Sequence, residues 1–345
     1  LHKACHSGNI ELVKYLIGLN QFDIKAENSK NETLLHLAAK SKNFELIKYL
    51  IELNKIDVKA PGPKKNTILH IACSNDNLDL VKYLVKHDQF DLTATNNSEE
   101  NVLHIACKNG RLDIVKYLVE LDKIDIKDMD DSQETILHLA CQSGNELLVK
   151  YIISLNAIDI LAVNKTILHF AADSKNLHLM SYLIKLNKID INAKDKSDET
   201  ILNIAVKNNN IELVKLLSKQ KNIDFTVKDD DDTNLLMLAC KTGNLELVKF
   251  IMEQTEFDLK AKNNSQETVI HFACESGKID LVDFLITKKN VEVQVKDENG
   301  KTALHSACDS KNMDLVKYLL SYKQIDLNSR EYNDKAILHQ ICQEG

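Results

Sequence analysis

The chain has 345 residues, 28% of them charged, and a net charge of −7 at neutral pH. So mild an acidity builds no field that would draw nucleic acid or an anionic membrane, and no apolar run approaches the roughly 18 residues of a bilayer span. Eight cysteines with no secretory pattern ahead of them point to reduced thiols in the cytoplasm, and Leu1 in the place of Met makes the chain read as a fragment.

One motif opens the chain as "LHKACHSGN" and keeps returning, as in "LHIACKNG" at 103–110 and "LHLACQSG" at 137–144. Its histidine stands at His2, His36, His70, His104, His138, His169, His271, His305 and His339, with Asn203 and Met237 in the two remaining slots. Successive slots are 34 residues apart, except for the 31 between His138 and His169. A fixed period of this length means stacked units, each too small to bury its own apolar faces.

Within a unit the elements follow one order. A short apolar block with helical spacing comes first, such as Ile136, Leu137, Leu139, Ala140 and Cys141, and it stops at a residue suited to the left-handed conformation, such as Gly8, Gly110, Gly144, Asn209, Asp76 or Lys42. Asn follows in most copies (Asn9, Asn43, Asn77, Asn145, Asn176, Asn210, Asn244, Asn312) and predicts the N-cap of a second helix. That helix carries a buried stripe, for example Leu46, Ile47, Leu50 and Ile51. On its wet side, Glu11/Lys14, Asp79/Lys82 and Glu246/Lys249 are spaced for i,i+3 pairs. A polar stretch such as "NKIDIKDMDDSQE" closes the unit, and its Ile-Asp-Ile alternation predicts a short hairpin arm.

Taken together, "TLLHLAA" (33–39), "TILHIAC" (67–73), "TILHFAA" (166–172) and "TALHSAC" (302–308) resemble the ankyrin repeat and its T-P-L-H-x-A signature. The Pro of the signature is absent throughout, the finger Gly survives only as Gly300, and each unit runs one residue over the usual 33. The resemblance implies an all-α repeat solenoid of stacked helix-turn-helix units with short β-hairpin fingers, running as one array over 1–345. It also implies that the motif histidines are structural and bond to the threonines three residues upstream, Thr33, Thr67, Thr135, Thr200 and Thr268.

His-x-x-Cys suggests metal ligation at first sight. The cysteines (Cys5, Cys73, Cys107, Cys141, Cys240, Cys274, Cys308, Cys342) share one slot, however, and Ala39, Ala172 and Val206 fill its other copies. Small apolar residues exchanging freely mark a packing site. Equivalent residues of stacked helices also lie roughly 8–10 Å apart, too far to share a zinc ion whose ligands sit at about 2.0–2.3 Å. We therefore expect no metal and no cofactor. Nine repeated histidines do not make one active site either, so no enzyme is expected. "NGKT" (299–302) lacks the earlier Gly of a phosphate loop, having Val295 there. "DMDDSQET" (128–135) and "DDDDTN" (229–234) lack the Gly and Glu of a calcium loop and read as solvated tips. The tyrosines of one second-helix slot (Tyr15, Tyr49, Tyr83, Tyr117, Tyr151, Tyr182, Tyr318) read as packing residues with a wet hydroxyl.

What remains is surface. In ankyrin-like proteins partners bind the exposed side of the first helix and the finger tips, and the resemblance nominates residues in both places. On the first helices they are Lys40, Lys108, Gln142, Asp173, Lys207, Lys241 and Glu275, followed by a second variable slot (Ser41, Asn75, Asn109, Ser143, Ser174, Asn208, Thr242, Ser276, Ser310). On the tips they are Lys64 and Lys65, Asp128, Asp130 and Asp131, and Asp229, Asp230 and Asp231. The finger at 160–165 is three residues short, and marks either a notch where a partner comes close or relaxed drift in a stack that its neighbours hold together. The expected function is a non-enzymatic scaffold or adaptor for one or more proteins, cytoskeletal or membrane-associated ones among them. The alternative is the recognition arm of a larger channel, kinase or ubiquitin ligase. Neither reading involves nucleic acid, membrane insertion or a small-molecule substrate.

Overall fold

The structure is a computed structural model that describes residues 1–87, 90–160, 166–322 and 325–326. The last copy of the motif, with His339, Cys342 and Gly345, lies outside the described residues, and so does most of the short finger at 160–165 with the notch expected there. The chain divides into two compact units, Leu1–Val163 and Asn164–Gly345.

In the first unit, the first helices of the repeats are His2–His6, Leu34–Ser41, Ile68–Ser74, Val102–Lys108 and Ile136–Ser143. The second helices are Ile10–Gly18, Phe44–Glu52, Leu78–Lys86, Leu112–Glu120 and Glu146–Ser154. In the second unit the corresponding sets are Ile167–Asp173, Ile201–Lys207, Leu235–Thr242, Val269–Glu275 and Ala303–Asp309, and Leu177–Lys185, Ile211–Ser218, Leu245–Gln254, Ile279–Asp283 and Met313–Leu320. One π-helical turn, Phe284–Lys288, prolongs the fourth of these last. Within each unit, first helices pack on neighbouring first helices, and each second helix packs back on its own partner. That is the layered arrangement expected of two short helices joined by a tight turn.

The first helices carry the core. Leu34 to Ala39 are all buried, as are Leu235 to Cys240. The second helices are amphipathic, with Leu46, Ile47, Leu50 and Ile51 buried in one case. The turn between them is set by a left-handed residue. Gly8, Gly110, Gly144, Gly243 and Gly277 have φ of 70 to 73°, and Lys42, Asp76, Lys175 and Lys311 accept nearly the same angle at 58 to 62°. The expected asparagine caps form: the side chains of Asn43, Asn77 and Asn145 accept from the backbone N–H of Leu46, Leu80 and Leu148 at 2.9 to 3.1 Å. Several reach the preceding repeat as well, Asn145 Nδ2 donating to the Gly110 carbonyl at 2.8 Å and Asn312 Nδ2 to that of Gly277 at 2.7 Å. Arg111 stands where Asn is expected and keeps such a link, its guanidinium donating to the Ser74 carbonyl at 3.1 and 3.2 Å.

The fingers differ from expectation in one respect. The Ile-Asp-Ile alternation is not a strand, because its Asp heads a turn. The Asp57 carboxylate accepts the backbone N–H of Lys59 at 2.9 Å, and Asp125 treats Lys127 in the same way at 2.9 Å. Such side-chain-to-backbone bonds compete with a ladder. Further along, an Asn or Asp folds the tip: Asn96 Oδ1 accepts from the N–H groups of Ser98 and Glu100 at 2.9 and 3.1 Å, while Asn96 N–H donates to the Glu100 carbonyl at 3.0 Å. The described fingers contain no β-strand, only the isolated antiparallel bridges Met129–Thr135 and Lys228–Asn234.

Second-helix lysines also find different partners from those predicted. Glu11 and Lys14 do pair at 3.3 Å. Lys82, however, lies over the Tyr117 ring at 5.7 Å, Lys249 over Phe284 at 5.1 Å, and Glu246 takes Lys215 of the preceding repeat at 3.1 Å. These contacts run between repeats because a side chain one turn long reaches the next helix as easily as the next turn, and a ring face there attracts the cation.

Candidate functional site

The groups with the most reactive chemistry are used inside the stack. From His36 onward the described motif histidines are the third residue of their first helices, and His36, His70, His104, His138, His271 and His305 cap them. The N–H of Thr67 donates to His70 Nδ1 at 3.2 Å with the Thr67 hydroxyl 2.8 Å away, and Thr33/His36, Thr135/His138 and Thr268/His271 repeat the pattern. This is a capping box with imidazole in the place of the usual carboxylate. Because Nδ1 accepts, Nε2 carries the proton. It points to the next finger: His36 to the Asn66 carbonyl at 3.1 Å, His70 to Glu100 at 3.0 Å, His169 to Glu199 at 3.0 Å and His271 to Lys301 at 3.2 Å. Burial pushes the pKa of His36, His70, His104 and His271 below the ordinary range, which keeps them neutral.

The described cysteines are all buried. Burial raises the Cys5 thiol to about 11 and pushes Cys73, Cys107, Cys141, Cys240 and Cys274 higher still. A thiol that does not ionise is neither nucleophile nor ready ligand.

On the surface, the nominated first-helix lysines are not free. Lys40 pairs with Glu32, Lys108 with Glu100 at 2.6 Å, and Lys207 with Glu199 and with Asp229 at 3.5 Å. Each partner glutamate lies eight residues upstream, at the end of the finger, where the capped helix start folds it against the lysine. Hydrogen bonding from Lys40 draws the Glu32 pKa down. At Glu100 burial alone would raise it, but the bonds from Lys108 and Asn96 outweigh that and hold it low. The slot after the lysine is structural too. Ser41 and Ser143 donate to the carbonyls of Ala38 and Ala140 at 2.7 Å and accept the N–H of Asn43 and Asn145 at 3.3 and 3.2 Å. Gln142 and Asp173 are exposed.

The finger tips divide in the same way. Lys64 and Lys65 are exposed, as are Asp128, Asp131, Asp230 and Asp231. Asp130, by contrast, is only 7% exposed. Its carboxylate accepts from the N–H groups of Ser132 and Glu134 at 3.0 and 2.8 Å. Asp229 is half-buried and heads its own turn through Asp231 and Thr233. These two carboxylates build the tip instead of decorating it, so the reading of both acidic runs as wholly solvated is corrected.

In the second unit four nominated residues converge. Lys207, Asp229, Asp231 and Lys241 line a cleft of about 470 Å³ together with Thr233, Leu238, Thr242, Asn263, Ser265, Glu267 and Phe272. Its floor is first helix, its walls are the tips 229–233 and 263–267, and it places two cations, three carboxylates and an aromatic ring around one opening. Lys241 reaches Glu275 at 3.5 Å and lies 5.8 Å from the Phe272 ring centre. Glu267 and Phe272 were missed in the sequence, although the complementary charge at eight-residue spacing in Glu32/Lys40 and Glu100/Lys108 would have pointed to the glutamate slot. No helix among the described residues is long and apolar enough to cross a membrane.

Comparison with known proteins agrees with this architecture. The family model described as Ankyrin repeats (3 copies) matches residues 1–96, 89–164, 158–229, 202–297, 236–331 and 289–345. No curated protein matches the chain. Among solved structures, the crystal structure of the human ASB11 ankyrin repeat domain is similar at a TM-score of 0.53 and 22% identity, over 60% of this chain and 92% of that one. At that identity the likeness is one of fold.

Proposed function

Because the chain belongs to the ankyrin-repeat family, whose stacked units typically serve as protein-protein interaction modules, we propose that it is a non-enzymatic adaptor or scaffold that binds another protein through first-helix ends and finger tips. The observation that carries this reading is the division of labour among its side chains. Histidines and cysteines are spent on capping and packing, whereas a cleft in the second unit presents charges and a ring. Mixed charge around an aromatic centre suits a protein surface, in which a few anchors carry most of the binding energy. The cytoplasm is the compartment this reading assigns, since the thiols are then kept reduced.

Crosslinking mass spectrometry on the protein purified from its source cells tests the proposal. Crosslinks from a separate protein to finger lysines such as Lys64, Lys65 or Lys228 are the expected result. Crosslinks confined to other segments of one longer polypeptide would replace the adaptor by a recognition arm, and no crosslink at either place would overturn both.

A further inference from the structure

We propose that the cleft of the second unit takes a basic segment of the partner, with one arginine or lysine side chain seated against Glu267. This rests on the protein-binding reading above and gives it a partner chemistry.

Four sister repeats supply the template, the two slots holding no opposite charges at 66/74, 134/142 and 233/241. Glu32 has Lys40, Glu100 has Lys108 at 2.6 Å, and Glu199 has Lys207. Lys301 and Asp309 exchange the signs and keep the pair, at 2.7 Å. In the repeat between, the same two slots hold Glu267 and Glu275, both acidic. Glu275 finds Lys241 of the preceding helix at 3.5 Å. Glu267 keeps the side-chain amide of Asn263 at 3.0 Å, and among the described residues no lysine or arginine pairs with it. One carboxylate of the row thus stands in the cleft wall with the place of its cation unfilled. Phe272, only 5% exposed and with Lys241 already 5.8 Å from its ring centre, flanks the same opening, and the planar fork of a guanidinium matches a carboxylate bidentately.

A second observation falls on the same walls. In four repeats the carbonyl that receives a histidine Nε2 belongs to the residue thirty positions on (His36 to Asn66, His70 to Glu100, His169 to Glu199 and His271 to Lys301), whereas His2 and His104 reach carbonyls twenty-four on. Asn203 and Met237 replace the histidine twice running, and thirty positions beyond them are Thr233 and Glu267. Both residues line the cleft. The Asn203 amide nitrogen is buried and reaches no acceptor, and Met237 has none to offer. Two successive fingers are therefore held by fewer bonds where the charge pattern also breaks, and departures from a repeat's own rules gather at functional sites.

Fluorescence anisotropy of a labelled tetra-arginine peptide titrated with the full chain at physiological salt tests the assignment. The wild type binds, and Glu267→Gln weakens binding by about tenfold. Glu275→Lys restores the cation of the sister repeats and should weaken binding as strongly, with thermal stability kept or raised. Glu253→Lys, the same charge change on the exposed side of Leu245–Gln254, should stay within about twofold. No binding of the peptide at the highest wild-type concentration reached would overturn the proposal, as would equal losses from Glu253→Lys and Glu275→Lys. If the titration fails while a partner still crosslinks to the fingers, only the cleft assignment falls. If no partner crosslinks, the protein-binding reading falls whatever the peptide does.

Discussion

At His70 the N–H of Thr67 fixes the ring proton on Nε2, and that proton is aimed at the Glu100 carbonyl 3.0 Å away. A second proton has no place there, since Nδ1 would have to stop accepting. The pKa of this histidine is accordingly lowered by burial, as are those of His36, His104 and His271. In the unfolded chain the same residues titrate near 6.5. Below that pH the unfolded state binds more protons than the folded one, so the stability these rings contribute is complete above about 6.5 and is lost as pH falls through their lower folded values. Glu32 and Glu100, whose pKa values are also held low, add a further loss beneath the carboxylate range. Melting temperature should therefore drop between pH 7.5 and 5.5, and His70→Asn should reduce proton uptake on unfolding by about one proton at most. A melting temperature flat across that interval would refute the lowering of these histidine pKa values by burial. Gly62 is constrained by the same ring system, because a Cβ there would lie 2.6 Å from Cδ2 and Nε2 of His36. That ring is buried and bonded to the Asn66 carbonyl. Gly62→Ala should cost about 1–3 kcal/mol in denaturant unfolding, and a neutral result would mean that the finger moves aside freely.

The helices and their boundaries were legible because each rests on residues adjacent in sequence. At Asn43, Asn145 and Asn312 the asparagine after the left-handed turn is both a cap and an inter-repeat strut. Asn145 accepts from Leu148 N–H and donates to the Gly110 carbonyl. Asn145→Ala removes both bonds and should cost about 2 kcal/mol, one part cap and one part buried bond. Asn145→Asp keeps the acceptor, loses the donor, and should cost about half as much. An Asn145→Asp variant as stable as the wild type by equilibrium denaturation would show that the strut contributes nothing, and equal costs for the two variants that the cap does not. The fingers were less legible. Alternation of Ile and Asp is also the pattern of an Asp-headed turn, and only the observed Asp57–Lys59 bond decides between them. Half of the candidate site was hidden for a similar reason. Lys207, Lys241, Asp229 and Asp231 show as variable positions, but the eight-residue pairing of glutamate with lysine needs the capped helix start to bring them together, so Glu267 looked unremarkable.

Over a whole stack, stability is close to a sum of repeat terms and nearest-neighbour terms, so the place that opens first is where neighbour terms are missing. In the second unit they are missing consecutively, at Asn203 and Met237. The finger amides beyond report on this directly. Asp229 N–H donates to the Thr233 carbonyl at 3.2 Å and Asn263 N–H to that of Glu267 at 3.0 Å, the same bond that Asn96 makes to Glu100 at 3.0 Å. Only at Glu100 is the carbonyl also held by a histidine, His70. One hydrogen bond fewer, at about 1 kcal/mol, corresponds to roughly fivefold faster local opening. Native-state hydrogen exchange should therefore show Asp229 and Asn263 exchanging severalfold faster than Asn96. Asn203→His should slow Asp229 and leave Asn263 unchanged, because its new ring N–H would meet Thr233 and not Glu267. If that substitution slows neither amide, the motif histidine is a cap for its own helix alone, and the mobility of the cleft walls must come from elsewhere in the fingers.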